Sequence, residues 1–87
     1  MAKYKITFRK SVAKDLRKIP KQDVLRILKR IDALAEDPRG DGCIKLSGQN
    51  RYRIRLGLYR VIYEIVDDRL VVAVVRVGHR SSVYQSF

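Results

Sequence analysis

The chain is short of most of the residue types that build a compact chemical centre. In 87 residues it has one cysteine (Cys43), one histidine (His79), one methionine, two prolines and no tryptophan. A single cysteine excludes a disulfide framework, and one Cys with one His cannot supply a zinc site from those residue types alone. No apolar run approaches the ~20 residues of a membrane span. Residues Met1–Lys5 lack the apolar stretch of a secretory signal. Acidic residues are scarce, 9 Asp and Glu against 20 Lys and Arg. Paired catalytic carboxylates, a nucleophile triad and a glycine-rich phosphate loop are all missing from the pattern. The expectation is a cytoplasmic protein with no membrane contact, no metal and no cofactor.

What is present is apolar content and positive charge. At 46% hydrophobic, the chain can bury a modest core, and its length allows one domain spanning residues 1–87. A net charge of +11 on so small a body implies an acidic partner, most simply nucleic acid. The charge is unevenly spread. In residues 1–43 basic and acidic groups mix along helix-like sequence, as in Lys29-Arg30-Ile31-Asp32, which reads as a solvated face. Between 45 and 60, Lys45, Arg51, Arg53, Arg55 and Arg60 occur with no acid among them. Four of these five are arginine, whose planar donor fork suits phosphate.

The periodicities predict an α+β fold. Tyr4, Ile6 and Phe8 alternate with polar residues, the mark of a half-buried strand. Ser11 is the expected N-cap of a short helix carrying Val12, Leu16 and Ile19, interrupted at Pro20. Val24, Ile27, Leu28, Ile31 and Leu34 then recur at helical spacing from Lys21 to about Glu36. The loop residues Asp37 to Gly42 end that helix. An antiparallel helical hairpin packed on one face of a sheet follows. The rest reads as an antiparallel β-meander: Ile44–Leu46, Tyr52–Leu56, Tyr59–Val66 and Leu70–Val77.

Side-chain alternation converts that meander into chemistry. Tyr52, Ile54 and Leu56 point one way, Arg51, Arg53 and Arg55 the other. If Gly57-Leu58 is a two-residue hairpin loop, Arg55 lies directly opposite Arg60. Like charges so placed are destabilising, and a chain that keeps them uses them to hold an anion; the plainer alternative is a solvated outer face. Glu64 shares parity with Arg60 and reads either as a base or as an ion-pair partner. His79, the one side chain of a type that titrates near neutrality, reads either as a proton donor or as a loop residue.

The segments Lys45-Leu46-Ser47-Gly48, Tyr52-Arg53-Ile54-Arg55-Leu56, Tyr59-Arg60-Val61-Ile62-Tyr63-Glu64-Ile65 and Val77-Gly78-His79-Arg80 with Val83-Tyr84 together resemble a RelE-type toxin of the RelE/ParE superfamily. The resemblance implies the toxin of a type II toxin–antitoxin system. It implies a metal-independent endoribonuclease that enters the ribosomal A site and cuts mRNA there by 2′-OH attack on the adjacent phosphate. By the same resemblance, Arg53 and Arg55 stand where the best-known members carry functional lysines. Arg60 matches the arginine that clamps the scissile phosphate, and Arg80 the one assigned to the leaving group. Tyr84 matches a C-terminal tyrosine that stacks on mRNA and is proposed as the base. His79 stands where those members carry lysine, and related toxins use a C-terminal histidine as general acid. Lys45, Arg51, Arg53 and Arg55 are then the expected contacts to RNA and the ribosome, rRNA included. The implied partner is an acidic, RelB-like antitoxin, with DNA reached only through that complex. Two other functions fit the same features: a ParE-like gyrase poison, and a catalytically silent basic module that binds nucleic acid.

Overall fold

A computed structural model describes residues 3–40, 42–46 and 50–79. Strand β1 (Lys5–Phe8) leads into helices α1 (Lys10–Arg17) and α2 (Lys21–Ala33). Strands β2 (Ile44–Lys45), β3 (Arg51–Leu56), β4 (Tyr59–Val66) and β5 (Val71–His79) follow, with a 3₁₀ turn, Asp67–Arg69, before β5. The strands form one sheet in the order β1-β5-β4-β3-β2. The expected meander is present as β2 to β5, while β1 adds in parallel beside β5 and makes the sheet mixed.

The local chemistry explains most of these elements. Gly57 adopts φ +60°, which lets Gly57-Leu58 close the β3–β4 hairpin tightly. Both helices place their apolar stripes on the sheet: Val12 from α1, and Ile27, Ile31 and the following Leu34 from α2, are fully buried. They meet Ile54, Val61, Tyr63, Ile65, Val72, Val74 and Val77 in one cluster. Each such burial contributes about 1.5–3 kcal/mol relative to exposure. The Tyr63 hydroxyl, inside that layer, donates to the Pro38 carbonyl at 2.7 Å and lies 2.8 Å from the Cys43 sulfur. Burial pushes its phenol well above the ordinary tyrosine range.

Four expectations change. Helix α1 starts at Lys10 with Arg9 at the cap position and no side-chain cap; the Ser11 hydroxyl bonds the Val75 carbonyl at 3.5 Å. Helix α2 ends at Ala33, with turns over 34–36, and β5 runs to His79. Finally, β5 carries a bulge: Ile62 pairs with Arg76 and Tyr63 with Val74, leaving Val75 as the extra residue. The bulge shifts strand parity, so that Val74 and Val77 both face the helices although three positions apart.

Helix α1 solves an edge problem. Strand β1 pairs only with Val71–Val74, so the distal half of β5 loses its strand neighbour. Here α1 takes over. The Arg9 amide donates to the Val74 carbonyl at 3.0 Å, and the Val77 amide donates to the buried Asp15 carboxylate at 3.0 Å. The Arg76 Nε lies 3.7 Å from the same carboxylate.

Candidate functional site

The sheet face opposite the helices is where the arginines collect. Arg55 is directly opposite Arg60, as hairpin geometry requires, and Arg53 lies two positions along, opposite Ile62. On the far side of β4, Arg60 pairs with Gly78 and Ile62 with Arg76. No side chain therefore stands beside Arg60 on β5. Ile62 has 0% exposure yet stands outside the main core cluster. Its neighbours in register are Arg53 and Arg76, whose aliphatic stems can cover an apolar residue.

This face is not uniformly charged. Glu64 is opposite Arg51, and its carboxylate receives Arg51 Nε at 3.1 Å and an Arg9 terminal nitrogen at 3.4 Å. The acid is thus an ion-pair partner, the second of its two sequence readings. Arg51, expected among the RNA contacts, is the cation that Glu64 neutralises. Toward the hairpin end the register places no carboxylate beside Arg53, Arg55 or Arg60. There the face is dominated by arginine.

Two expected residues are carried elsewhere. His79 is opposite Tyr59 in register, and the two rings meet edge to face with centroids 6.3 Å apart. Tyr59 belongs to the helix side, so His79 stands on the opposite face of the sheet from Arg60. The Val75 bulge is the reason: continuing from the Tyr63–Val74 pair without it, residue 79 would share the Arg60 face. Lys45 is opposite Tyr52, whose ring stacks on Tyr63 at 5.9 Å on the helix side. It too departs from the arginine face. Arg80 and Tyr84 lie outside the described residues.

One residue joins the site that the sequence reading set aside as outward-facing. Arg30 of α2 lines, with Arg53, Arg55 and Ile44, a depression of about 440 Å³ where β3 extends past the short β2. The signal was legible only as one more cation on a helix; the shortness of β2 is what opens the edge between them. At the other end of the sheet, Arg39 makes a bidentate pair with Asp67 at 2.8 and 3.0 Å, and Tyr4 donates to the same carboxylate at 2.8 Å. Those contacts, Arg39 first, hold the Asp67 carboxyl below the ordinary carboxylate range. The Arg39 guanidinium also sits 5.5 Å over the Tyr52 ring. This cluster latches the loop after α2.

Fold and site together define a small basic α+β protein with one sheet face clad in helices and the other bearing a cluster of arginines. Comparison with known proteins gives the family. The family described as "ParE toxin of type II toxin-antitoxin system, parDE" matches residues 6–84. Toxin RelE3 of Methanocaldococcus jannaschii is 34% identical, over 95% of this chain and 98% of its own. The archaeal RelE–RelB complex from Pyrococcus horikoshii OT3 contains a chain matching at TM-score 0.80 and 32% identity, over 93% of this chain and 99% of that one. The intact E. coli RelBE toxin–antitoxin complex matches at TM-score 0.76 and 30% identity, over 87% and 95%. The chain belongs to the RelE/ParE superfamily and is a RelE-type toxin of a type II toxin–antitoxin system.

Proposed function

We propose that this toxin is a ribosome-dependent mRNA endonuclease acting in the cytoplasm, and that its arginine face holds the scissile phosphate. The observation that carries the proposal is the Arg55–Arg60 pair in register, with Arg53 beside it on the same face. In the reaction, the ribose 2′-oxygen forms a bond to phosphorus, the bond from phosphorus to the 5′-oxygen breaks, and a 2′,3′-cyclic phosphate and a 5′-hydroxyl result. Negative charge builds on the phosphorane oxygens. Preorganised guanidinium donors stabilise it, and removing one such donor typically costs about 10²–10³ in rate. Arg60 is proposed as the clamp, Arg53 and Arg55 as partners on flanking phosphates, Arg80 as the leaving-group residue and Tyr84 as the base-stacking residue.

Dependence on the ribosome fits the same geometry. Glu64 is engaged by Arg51 and Arg9, and His79 is on the other side of the sheet. The arginines of this face stay protonated and cannot act as bases. Among the described residues the site is rich in charge stabilisation and poor in proton-transfer groups, and such a site gains most from a partner that orients the message.

An acidic antitoxin is the proposed regulator. Chains matched here come from RelE–RelB complexes, and a net charge of +11 favours an acidic partner. Inducing the full chain in cells and mapping mRNA 5′ ends tests the nuclease proposal. Cuts inside translated codons, lost in Arg60→Ala, are expected. DNA damage with intact mRNA would replace the proposal by gyrase poisoning, the function suggested by the ParE name of the matching family.

A further inference from the structure

The bulge that removes His79 from the arginine face delivers it to a cleft. Between the C-terminal end of α1 and the distal end of β5 lies a cavity of about 300 Å³, lined by Asp15, Lys18, Tyr59, Arg76, Gly78 and His79 among others. That volume is at the lower end of small-molecule sites. The Asp15 carboxylate is already committed to the Val77 amide and Arg76, so it is no open repulsive charge. Lys18, exposed at the end of α1, adds a cation at the mouth. Tyr59 and His79 supply an aromatic pair at 6.3 Å. Gly78 lines the cleft and is also the register partner of Arg60, so cleft and arginine face meet at one strand position.

We infer that this cleft is a second RNA subsite, one that takes a ribonucleotide neighbouring the phosphate held by Arg60, its phosphate at Lys18 and Arg76 and its base against Tyr59 and His79. The inference rests on the RNA-directed function proposed above. Cations beside aromatic rings are the pattern that single-stranded nucleic acid selects, because every base offers a face to stack. An acidic peptide would use the cations and leave the rings idle. The position of Gly78 supports the placement, since it is opposite Arg60 in register and also lines the cleft.

Titrating the ¹⁵N-labelled full-length toxin with adenosine 5′-monophosphate, adenosine, inorganic phosphate and a hexaglutamate peptide tests this. The nucleotide should shift the amides of Lys18, Gly78 and His79, with adenosine or phosphate alone binding about tenfold more weakly. Lys18→Gln, at an exposed position that cannot disturb the core, should weaken the nucleotide about tenfold. His79→Ala should weaken the nucleotide while sparing inorganic phosphate. Arg60→Ala should leave binding at the cleft unchanged. Equal binding of hexaglutamate and nucleotide would overturn the inference in favour of a peptide site. Nucleotide shifts confined to Arg53, Arg55 and Arg60, or binding indifferent to Lys18→Gln, would also overturn it. Failure of the nuclease proposal reads differently: mRNA stays intact in cells, whatever this titration shows.

Discussion

The two faces of the sheet are built from the same strands and obey opposite rules. On the helix side, Ile54, Val61, Tyr63, Val72 and Val74 are closed from water, and stability resides there. On the other side, Arg53, Arg55 and Arg60 crowd into register, an arrangement that works against folding. A helix could have covered both faces; in this fold both helices go to one. The cost of the arginine face is borne by the other, and the difference separates what holds the protein together from the surface proposed to act. Within the arginine face the same lesson repeats on a smaller scale. Glu64 pairs with Arg51 at one end, and Arg53, Arg55 and Arg60 gather at the hairpin end.

The largest expected effects break the comparison directly. Arg60→Ala should lower ribosome-dependent cleavage by about 10²–10³, read by mapping mRNA 5′ ends, while leaving thermal stability unchanged or raised. Its mirror is Ile54→Ala, from the same pair of strands but the closed face. It should cost about 2–5 kcal/mol in a denaturant melt, and the protein that stays folded should keep its intrinsic cleavage rate. If the two substitutions had the same consequence, the division of labour would fail.

A second test concerns the uncovered half of β5. Asp15→Ala strips the Val77 amide of its acceptor and Arg76 of its counter-charge. The expected loss is about 1–3 kcal/mol, with hydrogen exchange rising first at Val77. A smaller effect sharpens the charge gradient. Glu64→Gln should release Arg51 and Arg9 and strengthen RNA binding severalfold, with a steeper dependence on salt. Smallest is the acid limb of stability set by Asp67. Its folded carboxyl titrates below the ordinary value of 3.8, so its contribution is complete above that value and is lost as pH falls through the folded one. Melts of the wild type and Asp67→Asn should differ near neutrality and converge well below pH 4.

Much of this was legible because the signals are local. The apolar stripe of α2, the alternation in β3 and the Gly57-Leu58 turn each act over a few residues. Together they place Arg55 opposite Arg60 without knowledge of the fold. The family resemblance was legible for the same reason, since it follows the order of those segments. Arg30 was not, because its place beside Arg53 depends on how far β2 extends. Asp15 was not, because a carboxylate in a basic helix gives no sign that it will cap a strand edge far along the chain.

The sequence by itself determined the elements, the side of β3 and β4 on which each residue lies, and the excess of positive charge. Periodicity and hairpin geometry decide these within one or two neighbouring strands. Only the tertiary structure decided which face receives His79. Strict alternation from Val74 would have put it on the Arg60 face; the extra residue at Val75 turns it to the helices and the cleft. A bulge belongs to the pairing of two strands and the packing of a third element against them. No residue of β5 announces it, and one inserted position reverses every side chain beyond it.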